Sequence, residues 1–240
     1  MSDTLVFIPA WNEEESLPAV LDDLRATLRD ADVLVVDDGS TDGTVAVACE
    51  HGAEVLSLGR NRGLPVGIAA GYQWAHEHGY AFCGRVDADG QHPAPELARL
   101  LELVRSGHCD VAVGSRFVSG DGYAPYRYMP DRVRRFGTAL LRRAMRGAIG
   151  RPFADATSGL YAVNAKALPY LAEPFATEAP EVEGLIRLAD AGLAVEEVPV
   201  DMAQRQSGES KLRGRKALRV VLTVAGTLAA AQLVRRGRRH

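Results

Sequence analysis

Asp87 and Asp89 stand one residue apart in the segment VDADGQHP, directly after an apolar run. Carboxylate oxygens at this spacing can hold a hard divalent cation together with the oxygens of a diphosphate, and Gln91 could add a neutral oxygen ligand. The structural alternative is a turn with a helix cap, because Asp and Gly favour turns. An Asp-x-Asp (DXD) pair is a weak motif by itself, so its place in the fold must decide between the two interpretations.

Two further polar clusters raise the same question, PAWNEE at residues 9–14 and DDGSTDGT at residues 37–44. A carboxylate of Asp37 or Asp38 could accept hydrogen bonds from a nucleobase. The helix that follows could be capped by one of three residues, Ser40, Thr41 or Asp42. Asn12 and Glu13 could contact a ligand, or they could cap the following helix and compensate its dipole. Both interpretations are left open.

Short apolar runs alternate with longer amphipathic segments through the first half of the chain. The runs predict strands at residues 5–8, 33–36, 54–58, 81–86 and 111–113. The segments between them predict helices at residues 14–28, 44–51, 65–78 and 95–105. This alternation indicates an α/β fold with a mainly parallel central sheet and helices on both faces.

The three polar clusters follow the first, second and fourth predicted strands. Since ligands of such sheets bind beyond the carboxyl ends of the strands, all three clusters are expected on one edge. Scattered surface charge would have no reason to collect there. The shared edge therefore favours a metal and diphosphate site at Asp87 and Asp89 over a simple turn.

The second half of the chain is less regular and contains a basic segment. Residues 127–151 hold eight arginines and a single acid, Asp131, with apolar residues at helical spacing, which predicts a basic amphipathic helix. Residues 154–163 are typical of a loop that enters a strand, residues 180–191 of a helix and residues 193–200 of a strand.

The charge of the chain is unevenly distributed. Residues 211–240 contain nine Lys or Arg and no Asp or Glu, so with a formal net charge of −3 for the whole chain the first 210 residues carry −12. We therefore expect a main domain over residues 1–210 and a basic C-terminal helix and tail over residues 211–240. The tail would contact a membrane surface, or it would pack against the main domain or a partner; these alternatives are left open. Nucleic acid is not expected as a partner, because the basic segments lack a binding motif and interleaved aromatic residues; the oligomeric state is left open.

The sequence predicts a cytoplasmic protein whose basic segments could lie on the inner face of the cell membrane. The start MSDTLVFIPA lacks the pattern of a signal peptide, and the three cysteines form no CxxC pair. The longest apolar stretch, residues 220–234, would span about 22 Å as a helix. That length is short of the roughly 30 Å hydrocarbon core, so a membrane span is not expected.

Seven motifs occur along the chain in the order of a known family: FIPAWNEEESL, VVDDGSTDGT, VDADGQHP, VGSRFV, TSGLYAV, EVPV and RQSGESKL. From about residue 4 to residue 216 the chain resembles glycosyltransferase family 2, and within it the dolichyl-phosphate mannosyltransferase-like, or polyprenyl-phosphate glycosyltransferase, branch. The resemblance implies a GT-A (Rossmann-like) fold over residues 1–210 and a nucleoside-diphosphate sugar donor such as GDP-mannose or UDP-hexose. It also implies Mg²⁺ or Mn²⁺ as cofactor and a polyprenyl or dolichyl phosphate as acceptor.

The resemblance also assigns roles to matching residues. The nucleotide pocket would be lined by Pro9, Ala10, Asn12, Glu13 and Asp38, with Asp37 beside them. The metal and diphosphate site would be formed by Asp87, Asp89 and Gln91, with Asp89 as the direct and catalytic ligand. Arg116 in GSRF would face the phosphates and the acceptor. The diphosphate would be covered by Arg205, Ser210 and Lys211.

One departure from the family pattern concerns the acceptor. Related enzymes usually read SGFR where this chain has Ser158-Gly159-Leu160-Tyr161, so an arginine expected near the acceptor phosphate is missing. Ser158 of this motif is expected to contact the acceptor. The missing charge could be supplied by a basic cluster, Arg127, Arg132 and Arg134.

We expect an inverting transfer by direct in-line displacement, in which cationic groups stabilise the leaving diphosphate. A phosphate acceptor is already largely ionised near neutral pH and needs no strong base. A hydroxyl acceptor, on a small molecule or a saccharide, is the alternative, and it would need a carboxylate base, for which Asp155 is the candidate. A non-catalytic lipid- or nucleotide-binding subunit is a further alternative, against which the intact DADGQ and GESK motifs argue.

Overall fold

The computed structural model describes residues 2–120, 123, 145–146 and 153–203. Its strands are β1 (Thr4–Ala10), β2 (Asp32–Asp37), β3 (Glu54–Ser57), β4 (Phe82–Arg85), β5 (Val111–Ser115), β6 (Tyr161–Asn164) and β7 (Val195–Pro199). Its helices are α1 (Leu17–Thr27), α2 (Thr44–Glu50), α3 (Leu64–Glu77), α4 (Ala94–Arg105), α5 (Leu168–Ala172) and α6 (Pro180–Asp190). The strands form one seven-stranded sheet in the order β3-β2-β1-β4-β6-β5-β7.

The first half of the sheet is parallel, as predicted. β1 pairs in parallel with β2 on one side and with β4 on the other, and β2 pairs in parallel with β3. All seven residues of β1 are buried. Continuous burial is the environment that favours the unbroken apolar run of a central parallel strand.

The second half of the sheet differs from a simple parallel order. β6 lies between β4 and β5 and is antiparallel to both, while β5 and β7 are parallel. The strand predicted at the end of residues 154–163 is therefore present, but its direction was not part of the prediction. The short helix α5 was not predicted either.

Helices cover both faces of the sheet, which confirms the predicted layering. Successive residues of a strand point to opposite faces, and Phe7 and Ile8 of β1 accordingly belong to two different cores. Phe7 packs with α3, α5 and α6, and Ile8 packs with α1, α2 and α4. At Gly71 of α3 a Cβ atom would lie only 2.2 Å from the ring of Phe7, so glycine lets this helix approach β1 closely.

Two predicted segments lie wholly or largely outside the described residues. They are the basic helix over residues 127–151 and the C-terminal helix and tail over residues 211–240. Among the helices that the structure does describe, none combines the length and the apolar character needed to cross a bilayer.

Candidate active site

The three polar clusters leave the sheet at a common edge, as predicted. We call residues 9–14 loop 1, residues 37–44 loop 2 and residues 87–91 loop 3, and together they are the acidic rim. Loop 1 lies at the end of β1, loop 2 at the end of β2 and loop 3 just after β4. Because β2, β1 and β4 are parallel neighbours in that order, the three loops lie side by side.

Asn12 joins loop 1 to loop 2. Its side-chain Oδ1 accepts the N–H of Thr41 at 2.8 Å, and its own backbone N–H donates to the hydroxyl of Ser40 at 3.0 Å. Its φ of 54° lies in the left-handed region, which asparagine tolerates better than most residues. Helix α1 begins only at Leu17, so the alternative of a helix cap is wrong for Asn12.

Glu13 lies at the approach to α1. Its carboxylate accepts the hydroxyl of Ser16 at 2.8 Å, and its carbonyl accepts the N–H of Leu17 at 2.9 Å. These bonds support the start of the helix, and a ligand contact by Glu13 stays a prediction. Pro9 and Ala10 are buried at the end of β1, beside the carboxyl end of β2.

Asp37 and Asp38 are buried and each accepts hydrogen bonds inside the protein. One oxygen of Asp37 accepts the N–H of Ser40 at 2.9 Å, and the other accepts the hydroxyl of the last residue of β3 at 3.0 Å. Asp38 accepts the backbone N–H groups of Arg62 at 2.6 Å and Gly63 at 2.8 Å. Asp38 thereby ties the segment before α3 to the acidic rim, and its contact with a nucleobase stays a prediction.

The start of α2 is held by two carboxylates. Asp42 accepts the N–H of Thr44 at 3.0 Å, and Glu14 of loop 1 accepts the N–H of Gly43 at 2.6 Å. Of the three capping candidates in loop 2, Asp42 is the one that satisfies a free N–H at the helix start. The other two bond to loop 1 instead.

Loop 3 is folded around its own backbone. The carboxylate of Asp89 accepts the N–H of Gln91 at 3.1 Å. The N–H of Asp87 donates to Nδ1 of His92 at 3.1 Å, so this histidine carries its proton on Nε2 when neutral. Burial lowers the pKa of His92 despite the attraction of the two loop carboxylates, which favours the neutral imidazole.

Asp87 is paired with Arg85, and Arg85 is paired in turn with Glu181; the sequence analysis missed both Arg85 and Glu181. Nη2 of Arg85 lies 3.2 Å from Oδ1 of Asp87 and 2.9 Å from Oε1 of Glu181, and the Arg85 side chain is only 2% exposed. Burial acts to raise the pKa of Asp87, but the charge and hydrogen bond of Arg85, together with His92 and Arg116, outweigh burial, and the pKa lies below its usual value. An arginine inside a strand predicted to be buried was the available signal, because such a charge requires partners.

Gly159 is a third residue that the sequence analysis did not assign to the site. A Cβ atom there would lie 2.2 Å from Oδ2 of Asp87, so the carboxylate occupies space that any side chain would fill. Its neighbour Ser158 is 1% exposed, and its hydroxyl accepts the N–H of Leu160 at 3.2 Å. Ser158 therefore shapes the turn before β6, and its contact with an acceptor stays a prediction.

Arg116 lies just after β5 and is held by Asp155. Nε and Nη2 of Arg116 bond to the two oxygens of Asp155 at 2.7 and 2.8 Å, and the Asp155 side chain is fully buried. Glu197 of β7 in turn accepts the N–H of Asp155 at 2.6 Å. This geometry favours a positioning role for Asp155, and its role as a proton acceptor stays a prediction.

The charge of Arg116 is stabilised by the acidic rim. Burial acts to lower the pKa of its guanidinium, but the hydrogen bonds and charge of Asp155 outweigh burial, and Asp87 and Asp89 add to the effect. The pKa of Arg116 is therefore raised. Arg116 is thus a permanent cation within electrostatic reach of the carboxylates of loop 3.

The donor set of loop 3 fits a hard divalent cation. Among the residues that the structure describes, no group of three or more His, Cys, Asp or Glu is arranged to hold a metal ion. Mg²⁺, however, is usually bound through one or two carboxylates, with water and substrate phosphate as its other ligands. The carboxylates of Asp87 and Asp89 and the amide of Gln91 provide that smaller set.

Six predicted site residues lie outside the described residues: Arg127, Arg132, Arg134, Arg205, Ser210 and Lys211. The last described segment nevertheless reaches the acidic rim. The N–H of Ala203 donates to the carbonyl of Gln91 at 3.0 Å. The motif RQSGESK begins two residues after Ala203. The chain therefore enters this motif from a residue that lies against loop 3.

Comparisons with known proteins agree with this arrangement. The profile of glycosyl transferase family 2 matches residues 5–168. The chain is 36% identical to undecaprenyl-phosphate mannosyltransferase of Micrococcus luteus, over 88% of this chain and 87% of that protein. It is 33% identical to polyprenol monophosphomannose synthase of Mycolicibacterium smegmatis, over 92% of this chain and 85% of that protein.

Solved structures of two synthases share the fold. Glucosyl-3-phosphoglycerate synthase of Mycobacterium tuberculosis, crystallised with Mn²⁺, UDP-glucose and phosphoglyceric acid, aligns with a TM-score of 0.70 at 22% identity, over 94% of this chain and 79% of that chain. Mannosyl-3-phosphoglycerate synthase of Rubrobacter xylanophilus aligns with a TM-score of 0.72 at 22% identity, over 98% of this chain and 75% of that chain. At this level of identity the likeness concerns the fold.

Proposed function

The chain belongs to glycosyltransferase family 2 and has the predicted GT-A fold, and from this premise we propose that it moves a hexosyl group from a nucleoside-diphosphate sugar to a polyprenyl phosphate. Family membership confirms the prediction that the chain is a glycosyltransferase. It therefore favours an enzyme over the alternative of a non-catalytic binding subunit. The observation that carries the finer proposal is the acidic rim, whose two loop 3 carboxylates interact electrostatically with the guanidinium of Arg116. Two relatives named for polyprenyl acceptors support the choice of acceptor.

The donor would bind along the acidic rim with its diphosphate at loop 3. Asp87, Asp89 and Gln91 would hold Mg²⁺ or Mn²⁺, which when bound supplies positive charge that neutralises the diphosphate oxygens. Arg116, which interacts electrostatically with Asp87 and Asp89, would stabilise the negative charge that develops on the leaving nucleotide. Because Asp155 fixes the guanidinium in advance, little reorganisation is needed during the reaction.

A phosphate acceptor suits this site because it brings its own nucleophile. A phosphate monoester is largely ionised near neutral pH, so its oxygen can attack the anomeric carbon without a strong base. In-line attack from the face opposite the leaving diphosphate inverts the anomeric configuration. The described residues agree with this chemistry, since both oxygens of Asp155 are occupied by Arg116.

The alternative is a hydroxyl acceptor on a small molecule or a saccharide. Such an acceptor must lose a proton to a positioned base. The buried, ion-paired Asp155 is poorly placed to take that proton, which is why we favour the phosphate acceptor.

The test is incubation of the full chain with a panel of donors and acceptors, followed by mass analysis of the products. Labelled GDP-mannose and UDP-glucose are supplied separately, each with Mg²⁺ or Mn²⁺ and with either a prenyl phosphate or 3-phosphoglycerate. We expect a glycolipid from one donor, formed only with metal and the prenyl phosphate. Transfer to 3-phosphoglycerate without any glycolipid would favour the hydroxyl alternative, and no transfer from either donor would contradict the proposal.

A further inference from the structure

Arg85 is a charged residue in the interior of the protein. It is the last residue of β4, its side chain is 2% exposed, and the strand runs directly into loop 3. A buried guanidinium is strongly unfavourable unless oppositely charged groups surround it. The carboxylates of its partners Asp87 and Glu181 therefore stabilise Arg85 in the interior.

The three side chains form one small network beneath the acidic rim. Arg85 and Asp87 are two residues apart, so their side chains leave the same face of the extended chain. Glu181 belongs to the first turn of α6, which packs on that face, and its side chain is 14% exposed. Nη2 of Arg85 bonds to both carboxylates, so α6 is connected through Arg85 to the Asp87 carboxylate.

We propose that Arg85, held by Glu181, is a positioning residue that fixes the Asp87 carboxylate at the metal and diphosphate site. This inference rests on the proposed function. Glu181 has a second role in it, because its negative charge leaves the group of three with a net charge of −1. Without that charge Arg85 would neutralise Asp87 and oppose the binding of a cation.

The experiment measures Mn²⁺ binding directly, by the electron paramagnetic resonance signal of free Mn²⁺, in the presence of UDP or GDP. The full chain is compared with Arg85→Met and with Glu181→Gln. Loss of a group that orients a metal ligand typically lowers metal affinity by about 10–100-fold, and we expect a loss of this size in Arg85→Met. Glu181→Gln should also bind Mn²⁺ more weakly, although its amide oxygen remains an acceptor for Arg85.

Arg105→Met is the matched control. Arg105 pairs with Asp3 at the opposite edge of the sheet, at 2.6 Å, so its loss should leave Mn²⁺ affinity unchanged. Thermal unfolding of each variant separates effects on folding from effects on binding. If Glu181 had a purely structural role, Glu181→Gln would have a lower melting temperature but the Mn²⁺ affinity of the wild type.

The outcomes distinguish the inference from the proposed function. If Arg85→Met folds and binds Mn²⁺ with wild-type affinity, the inference is contradicted but the proposed function is not. If Arg85→Met does not fold, wild-type Mn²⁺ affinity of Glu181→Gln contradicts the inference. A wild-type protein that binds no Mn²⁺ with either nucleotide contradicts the proposed function and the inference with it.

Discussion

The carboxylate of Asp87 rests directly on the backbone of Gly159, where a Cβ atom would lie 2.2 Å from its Oδ2. Loop 3 and the turn before β6 are far apart in sequence, and this contact fixes them against each other. Together with the ion pair to Arg85, it leaves Asp87 little freedom to change its position. A site for a divalent ion and a diphosphate requires such fixed carboxylates.

Gly159→Ala should therefore impair transfer strongly. The added methyl group cannot fit beside Asp87, and a displacement of about 1 Å in a catalytic group can lower turnover by about 10²-fold. Steady-state transfer with saturating metal measures the loss. Gly120→Ala is the control, because a Cβ atom there would lie 3.6 Å from Pro199, an ordinary contact. Equal activity of the two variants would show that Asp87 needs no fixed position.

Asp89→Asn should abolish metal-dependent transfer. The amide keeps the size of the side chain but removes the negative charge that a divalent cation requires, and we expect a loss of at least about 10²-fold at any Mn²⁺ concentration. Asp22→Asn is the matched control, since Asp22 is a largely exposed carboxylate on α1. Chelation of metal in the wild type should have the same effect as Asp89→Asn, and an active, metal-responsive Asp89→Asn would contradict the assigned role.

Arg116 and Asp155 should contribute unequally. Arg116→Met removes the cation that faces the leaving group and should lower the turnover number by about 10²–10³-fold. Asp155→Asn leaves that cation in place but weakens its orientation, so a smaller loss is expected. The surface variant Arg25→Met is the control for Arg116→Met. A loss in Asp155→Asn as large as that in Arg116→Met would instead indicate a proton acceptor and a hydroxyl substrate.

The ion pair of Asp3 and Arg105 predicts a pH dependence of stability. The hydrogen bond from Arg105 lowers the pKa of Asp3 from 3.8 to about 2, so the pair stabilises the fold above the unfolded-state pKa and this contribution is lost as the pH falls towards 2. The difference in melting temperature between wild type and Arg105→Met should be small, because both side chains are about half exposed. It should shrink as the pH is lowered from about 5, and a constant difference would contradict the assignment.

Much of the fold followed from the sequence because its strands and helices have clear periodicities. The parallel order of β1, β2 and β4 and the shared edge of the three loops were predictable from the alternation of elements. The direction of β6 was not, since an apolar run of four residues does not specify whether its neighbours are parallel or antiparallel. The later start of α1 reflects the bonds of Asn12 to loop 2, which are long-range contacts.

The site was predictable where motifs carry its chemistry and unpredictable where tertiary contacts do. Asp87 and Asp89 stand in a recognisable motif, and the structure places them at the acidic rim. Glu181 gave no local signal, because it is one of several acidic residues in α6 and only the fold brings it to Arg85. Gly159 was visible in the sequence, but its need to be glycine depends on a carboxylate about 70 residues away.

The most direct test of the account is a crystal structure of the full chain with Mn²⁺ and a nucleoside diphosphate, with the ion located by its anomalous scattering. We predict one ion at loop 3, bound by the carboxylate of Asp89 and by diphosphate oxygens, with the guanidinium of Arg116 facing the same diphosphate. An ion or nucleotide bound away from the acidic rim, with Asp87 and Asp89 contacting neither, would contradict the account.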